Sequence, residues 1–451
     1  MDDPAFASDV DLTTQTILLH ASNHDLAALK PFLRVPGNAS VQDPETGFTP
    51  LHAAIAACGA ASTSSKTADP NGTSGTEGDG AAREEHEEQE GVDLSKAKKV
   101  LEELFFSGAI WNDLSSDNET PGCMAYRLGQ MELYEMCVNA GVRAELLLGL
   151  MGGYEELEGE GSDEDDEDAE VGIAGQHSGA EVHGNSSREA EEHEIAVGPV
   201  ESTALAAKEK KDVNSADYLA SSLTFSADRL LDSDNNGVMM SWETSIMRRT
   251  VDLLLPSLAP GARVLNIGFG MGIIDRMFRE TKPRSHHIIE AHPAVLSKLS
   301  SQDPANDFGA AWEQSAPERG GGYKVHAGRW QDVCPLLLRQ GQIFDAIYFD
   351  TFGEDYAQLK LFFTEFLPGL MDGEGRFGWF NGLGADRRVC YDVYCKVVEM
   401  DLIEAGCDVD WTDVEVPVDE MGGEGEGEWK GVRRRYWVLE NYRLPICRFL
   451  G

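Results

Sequence analysis

Apolar positions along the chain follow two different periods. Over residues 11–59 helical spacing alternates with turns, and 13–21 and 25–33 read as a short helix pair. A further helical run at 94–106 ends in the turn Ser107, Gly108, Ala109, Ile110, and 131–140 supplies another. Beyond residue 216 the pattern changes to short apolar runs separated by amphipathic helices. Val264, Leu265 and Ile267 make the first run, and 287–290, 323–327, 344–350 and 376–380 follow. The run from Phe344 to Asp350 is apolar almost throughout, as a strand covered on both faces requires. In the helix after it, Leu359, Phe362, Phe363, Phe366, Leu367 and Leu370 share a face. A helix at 242–255 carries Ile246, Thr250, Val251 and Leu254 on one side and is stopped by Pro256 and Pro260. Residues 414–416 and 435–439 are expected to pair antiparallel at the sheet edge, separated by the acidic glycine loop 419–428. Strand and helix in alternation, closed by a hairpin, predict an α/β, doubly wound sheet with one reversed strand.

Composition alters this picture mainly between the patterned segments. The formal net charge of −42 is concentrated in low-complexity stretches, so it describes tails more than a binding face. Residues 60–91 are rich in Ser, Thr, Gly and Glu and read as a disordered insertion. The stretch 154–211, opening on EELEGEGSDEDDEDAE, reads as a flexible acidic linker that leaves the regions on either side to fold separately. So acidic a chain is a poor bulk binder of nucleic acid, while a basic protein partner remains open. No C-x-x-C pair occurs among the eight cysteines, which favours buried free thiols over disulfides or a metal site. The loop DSDNNG lacks the spacing of a calcium loop. An acidic N-terminus and the lack of a long apolar run predict a soluble intracellular protein without a membrane association.

Two motifs carry function. Thr49-Pro50-Leu51-His52-Ala53-Ala54 matches the ankyrin signature T-P-L-H-x-A, and residues 118–125 repeat it in degenerate form. An ankyrin-like repeat domain is expected over 1–150, with an unrelated helical bundle as the alternative. The second motif, VLNIGFGMG at 264–272, is a strand that breaks into glycines and opens a helix, a geometry that receives the polar part of a nucleotide-like ligand. Ile273 stands where the dinucleotide fingerprint has its third glycine, which favours a ligand without phosphates, such as S-adenosylmethionine. A tight structural turn would read the same way. Glu290 lies eighteen residues past Gly272, near the spacing at which a carboxylate takes ribose hydroxyls. Trp330 is a candidate to pack on a purine, and Asp350 ends the fourth strand at the ligand-binding edge of such a sheet.

The pieces VMMSWETSIM, LNIGFGMGIID, IIEAHP, GRWQDV and YFDTF together resemble the fungal protein-arginine N5-methyltransferases (type IV), a family akin to guanidinoacetate N-methyltransferase. The resemblance implies a Rossmann-like, S-adenosylmethionine-dependent methyltransferase domain over 213–451. It is preceded by the ankyrin-like domain at 1–150, with its insertion at about 60–92, and by the linker at 151–212. It implies S-adenosylmethionine as donor and a protein arginine as acceptor, methylated at the δ (N5) nitrogen, with a ribosomal protein as candidate substrate. It places Tyr218, Met239, Met247, Gly268, Phe269, Gly270, Met271, Gly272, Ile273, Glu290, Ala291, His292, Arg329, Trp330 and Asp350 around the cofactor. Glu243 and Asp350 fall near the guanidine as the catalytic pair, with no metal. A monomer in the cytoplasm and nucleus is expected, its repeats available to a protein partner. Carboxylates suit this chemistry, because they can hold the planar guanidinium fork and take up a proton as the new bond forms. A nicotinamide-dependent oxidoreductase, a small-molecule guanidine methyltransferase and a non-catalytic ankyrin scaffold are the competing readings.

Overall fold

Five parallel strands run through the larger sheet in the order expected of strand–helix alternation. The computed structural model describes residues 12–61, 94–159, 214–256, 261–301, 307–316 and 322–451, without the side chains of 151–159. The expected insertion, apart from Ala60 and Ala61, lies outside the described residues. So does the expected linker, apart from 151–159, which continue a helix.

The N-terminal helices are α1 (Leu12–Ser22), α2 (Pro50–Ala56), α3 (Ser95–Phe106), α4 (Pro121–Arg127) and α5 (Met131–Gly159). Each copy of the T-P motif starts a helix as its chemistry dictates. The Thr49 hydroxyl accepts the His52 N–H and the His52 ring accepts the Thr49 N–H, a reciprocal cap with Pro50 in the first turn. Thr120 caps α4 without the reciprocal bond, its hydroxyl accepting the Cys123 N–H. With Nδ1 accepting, the His52 proton sits on Nε2, which donates to the Glu119 carbonyl at 2.9 Å and so ties the first copy to the second. Burial holds His52 below its usual pKa and keeps it neutral for that role.

After α6 (Ser215–Ala220), a three-stranded antiparallel sheet contains β1 (Thr224–Phe225), β2 (Arg229–Leu231) and β3 (Gly237–Met240). A tight turn over Ser241–Glu243 then leads into α7 (Thr244–Leu254), which buries Ile246, Met247, Thr250, Val251 and Leu254. The main sheet is built from β4 (Arg263–Ile267), β5 (Ser285–Glu290), β6 (Tyr323–Ala327), β7 (Phe344–Phe349), β8 (Met371–Trp379), β9 (Cys407–Glu415) and β10 (Asn441–Phe449). Helices α8 (Ile273–Glu280), α9 (Pro293–Ser300), α10 (Trp330–Arg339), α11 (Tyr356–Leu361) and α12 (Arg388–Glu404) accompany it. The strand order is β6-β5-β4-β7-β8-β10-β9, with β10 antiparallel to both neighbours. The order reverses between β4, β5 and β6 on one side and β7 on the other, so the carboxyl ends of β4 and β7 open at the switch point where such sheets take ligands.

The closing pair differs from expectation. Residues 435–439 form no strand; β10 begins at Asn441 and pairs with all of β9 in the register Asn441↔Glu415 to Phe449↔Cys407. Pro445 in the middle of β10 weakens the sequence signal, since proline cannot donate to a ladder. Residues 435–439 instead run as an extended strap, in which the Val438 N–H reaches the Ala385 carbonyl and the Trp437 indole reaches the Leu439 carbonyl.

The two regions, expected to fold separately, share a core. The described residues within 12–149 and 214–451 belong to one unit, because α12 puts Val389, Cys390, Val393 and Val397 into the core of the N-terminal helices. Contact there is close: a Cβ on Gly122 would stand 2.5 Å from Val389 Cγ2, and one on Gly141 2.6 Å from Val393 Cγ2. Around it the Tyr134 hydroxyl donates to Asp392, Tyr394 to Glu145 at 3.2 Å, and the Arg388 guanidinium lies 4.5 Å from the Tyr126 ring centre. Each buried valine contributes roughly 1.5–3 kcal/mol.

Candidate active site

The glycine loop after β4 is shaped by tight approach to β7. Gly268 has φ +93°, and a Cβ there would meet the Asp350 carbonyl oxygen at 1.9 Å, so no larger residue fits. The Gly268 N–H bonds the Ile289 carbonyl and the Asp350 N–H bonds the Ile267 carbonyl, which locks together the ends of β4, β5 and β7. Beneath the loop, Asn266 Nδ2 donates to the Gly268 carbonyl at 2.8 Å and to Asp275 at 2.7 Å. Asp275 is bonded in turn to His286 Nε2 at 2.9 Å, all three residues being buried.

Two cavities meet at this edge. One is lined by Tyr218, Met239, Gly268, Gly270, Glu290, Ala291, Arg329, Trp330 and Asp350 among others, and so brings together most of the residues expected around a cofactor. Met247, Phe269, Met271, Gly272, Ile273 and His292 are not in its wall. Met247 is buried in the core beneath α7, Phe269 packs on Phe308, and His292 caps α9 while its Nε2 bonds the Tyr218 carbonyl at 3.0 Å. Two wall residues are placed differently from expectation. Trp330 is 3% exposed, in T-shaped contact with Phe349, Phe362 and Phe366, and its indole N–H goes to Glu354 at 3.0 Å, which leaves almost none of the ring open to the cavity. The Glu290 carboxylate accepts the N–H groups of Phe269 at 3.0 Å, Gly270 at 3.3 Å and His292 at 2.6 Å. Burial raises its pKa against the pull of those donors. Met239 covers the loop: its sulfur accepts the Met271 N–H at 3.2 Å, and a Cβ on Gly270 would meet its methyl at 2.8 Å.

The second cavity, of 230 Å³, shares Val238, Asp350, Thr351, Phe352 and Glu354 with the first. Phe349, Leu359, Trp379, Phe380 and Leu383 give it apolar walls, and Glu243 and Asp350 give it carboxylates. Glu243 is 4% exposed. Burial, and then the neighbouring Asp350, push its pKa up to about 8. Burial, and then the charge of Asp275, raise Asp350 to about 7. Neither has an ion-pair partner among the described residues, and Glu354, Asp355 and Arg434 line the same cavity. Sequence reasoning missed Glu354 and Tyr436. Glu354 accepts from Trp330, from Gln331 at 3.0 Å and from Thr351 at 2.6 Å, bracing the wall between the cavities. Tyr436 donates its hydroxyl to Glu243 at 2.5 Å.

Comparison with known proteins gives this geometry a family. The guanidinoacetate N-methyltransferase family profile matches residues 208–369. A protein arginine N-methyltransferase 2 from Gibberella zeae is 51% identical over 96% of this chain and 92% of its own length. Those from Neurospora crassa and Aspergillus fumigatus are 49% and 47% identical, over 97% and 100% of this chain and 96% and 100% of theirs. The chain belongs to the protein arginine N-methyltransferase 2 family. It is an S-adenosylmethionine-dependent protein arginine methyltransferase with a Rossmann-like catalytic fold. The glycine-loop cavity is the place for that cofactor, since Gly268, Gly270, Glu290, Ala291 and Arg329 line it together at the carboxyl ends of β4 and β5. Bound there, S-adenosylmethionine supplies a methyl group on a positively charged sulfur.

Proposed function

We propose that the chain methylates the δ (N5) nitrogen of an arginine side chain in a protein substrate, with a ribosomal protein as candidate acceptor. The supporting observation is the pair of carboxylates, buried Glu243 and part-buried Asp350, in a largely apolar-walled cavity that shares a wall with the glycine-loop cavity. The apolar walls suit the methylene stem of arginine, and the carboxylates suit its planar fork. A guanidinium entering between them draws both carboxyls into their charged forms and releases protons. It is then held in one orientation, which is the larger part of the rate advantage in a displacement reaction. A grip on the two terminal nitrogens leaves the internal nitrogen as the one free to face the donor. Glu243 or Asp350 accepts the proton that this nitrogen loses as its bond to the methyl carbon forms. An arginine stem filling the apolar-walled cavity would displace water, which strengthens each of these contacts.

The N-terminal helices are proposed to be an ankyrin-like substrate dock, in a protein of the cytoplasm and nucleus acting as a monomer. α12, which they hold, starts a few residues after Gly382 and Leu383 of the cavity wall. The deciding experiment incubates the protein with isotope-labelled S-adenosylmethionine and cell extract, then fragments the labelled peptides. A methyl group retained on the internal nitrogen supports the proposal. A methyl group lost with a terminal nitrogen would sink the N5 assignment, and labelling of free guanidino compounds alone would sink the protein substrate.

A further inference from the structure

Glu243 has to present its carboxylate to a substrate while buried beside another carboxyl, and something must hold it there. Tyr436 does so from the other end of the chain. Its hydroxyl donates to Glu243 Oε1 at 2.5 Å, while Oε2 accepts the Met240 N–H at 3.4 Å. The same hydroxyl accepts the Trp242 indole N–H at 3.1 Å. An indole can only donate, so the hydroxyl accepts there and keeps its own proton free for the ionised Glu243. The ring is fixed as tightly as the hydroxyl. Trp429 stands edge-on to it at 4.9 Å, and a Cβ on Gly237 would lie 2.8 Å from its Cε1. The segment carrying Tyr436 is tied to the β2–β3 hairpin by Arg229 Nη1 on the Lys430 carbonyl and by the Arg433 N–H on the Asn235 carbonyl. Tyr436 and Glu243 line the same cavity.

We propose that Tyr436 is a positioning residue for methyl transfer, holding Glu243 in the orientation that meets the arginine guanidinium. The inference rests on the reading of Glu243 as a guanidinium-binding carboxylate. It also concerns charge. Asp350 faces Glu243 from the end of β7, the hydroxyls of Tyr348 and Tyr442 lie within its field from β7 and β10, and Arg434 lines the same cavity. Burial and Asp350 oppose ionisation of Glu243, whereas the Tyr436 hydrogen bond favours it. Burial and the Glu243 charge keep Tyr436 itself protonated, well above its usual pKa, so it remains a donor throughout the working range.

The test is Tyr436→Phe, alone and combined with Glu243→Gln, in the full chain. Single-turnover methylation of a protein substrate should slow about tenfold to a hundredfold in Tyr436→Phe, the range for losing a hydrogen bond to a charged group. Cofactor affinity by calorimetry should be unchanged. The acid limb of kcat/KM should move to higher pH, because Glu243 loses a donor that favours its charged form. In the Glu243→Gln background the tyrosine substitution should add little. An equal slowing in both backgrounds, as general loss of folding would give, overturns the proposal, as does an acid limb that stays in place. Wild-type turnover by Tyr436→Phe beside a slow Glu243→Gln would overturn the tyrosine's role alone. Wild-type turnover by Glu243→Gln would remove the reading beneath it.

Discussion

Glu243 and Asp350 carry raised pKa values for the same first cause, burial, but they should fail differently when neutralised. Glu243→Gln and Asp350→Asn keep size while removing charge, and losing one buried charge-assisted partner costs about 2–5 kcal/mol, or roughly thirtyfold to several thousandfold in rate. Asp350 lines both cavities and its backbone locks the glycine loop, so Asp350→Asn should also weaken cofactor binding. Glu243→Gln should leave it nearly intact; calorimetry and single-turnover assays separate the two. The pH dependence follows from the same groups. With pKa values of about 7 and about 8, kcat/KM should climb as pH rises through that interval. Substrate binding near neutrality should release protons, seen as a buffer-dependent binding heat. Both carboxyls also lie above the value of about 4 that they hold in an unfolded chain. The stability they contribute is therefore complete below about pH 4 and lost as pH rises through 7 and 8. Thermal melts should show the wild type losing ground to Glu243→Gln over that range.

At the scale of elements, the contact between α12 and the N-terminal helices is the most sensitive place in the fold. Gly122→Val and Gly141→Val would drive new methyl groups into Val389 and Val393, at an overpacking cost of about 1–3 kcal/mol. A lowered melting temperature together with a raised KM for the protein substrate is the expected outcome. KM unchanged at a lowered melting temperature would separate the contact from the cavity. The elements that were legible in the sequence were those with a local signal. The apolar run of β7, the glycine break after β4 and the threonine caps of α2 and α4 all declare themselves within a few residues. Less legible was whatever depends on distant partners. β10 hid behind Pro445 and the charged Arg443 and Arg448, and its register is set by β9 across a long loop. Trp330 reads as a ligand platform until three phenylalanines pack around it. Tyr436 lies 193 residues from Glu243, and a lone tyrosine after three arginines gives no local sign of a carboxylate partner.

For the molecule as a whole, the boundary drawn from composition does not divide the apolar core. Charge and low complexity separate the two halves of the sequence, yet apolar burial joins the described parts of both into one unit. A truncation beginning near Val213 would uncover Val389, Cys390, Val393 and Val397 together. Exposing that face should lower the melting temperature and favour aggregation. Hydrogen exchange should show α12 losing protection first; a truncated chain with wild-type melting would contradict the shared core. The consequence reaches genetics. Because α12 begins just after Gly382 and Leu383 of the second cavity and packs into the first half of the chain, a mutational screen for lost arginine methylation should not map to the catalytic half alone. Temperature-sensitive alleles should cluster at Gly122, Gly141 and their neighbours, and behave at the restrictive temperature like mutations of the active site itself.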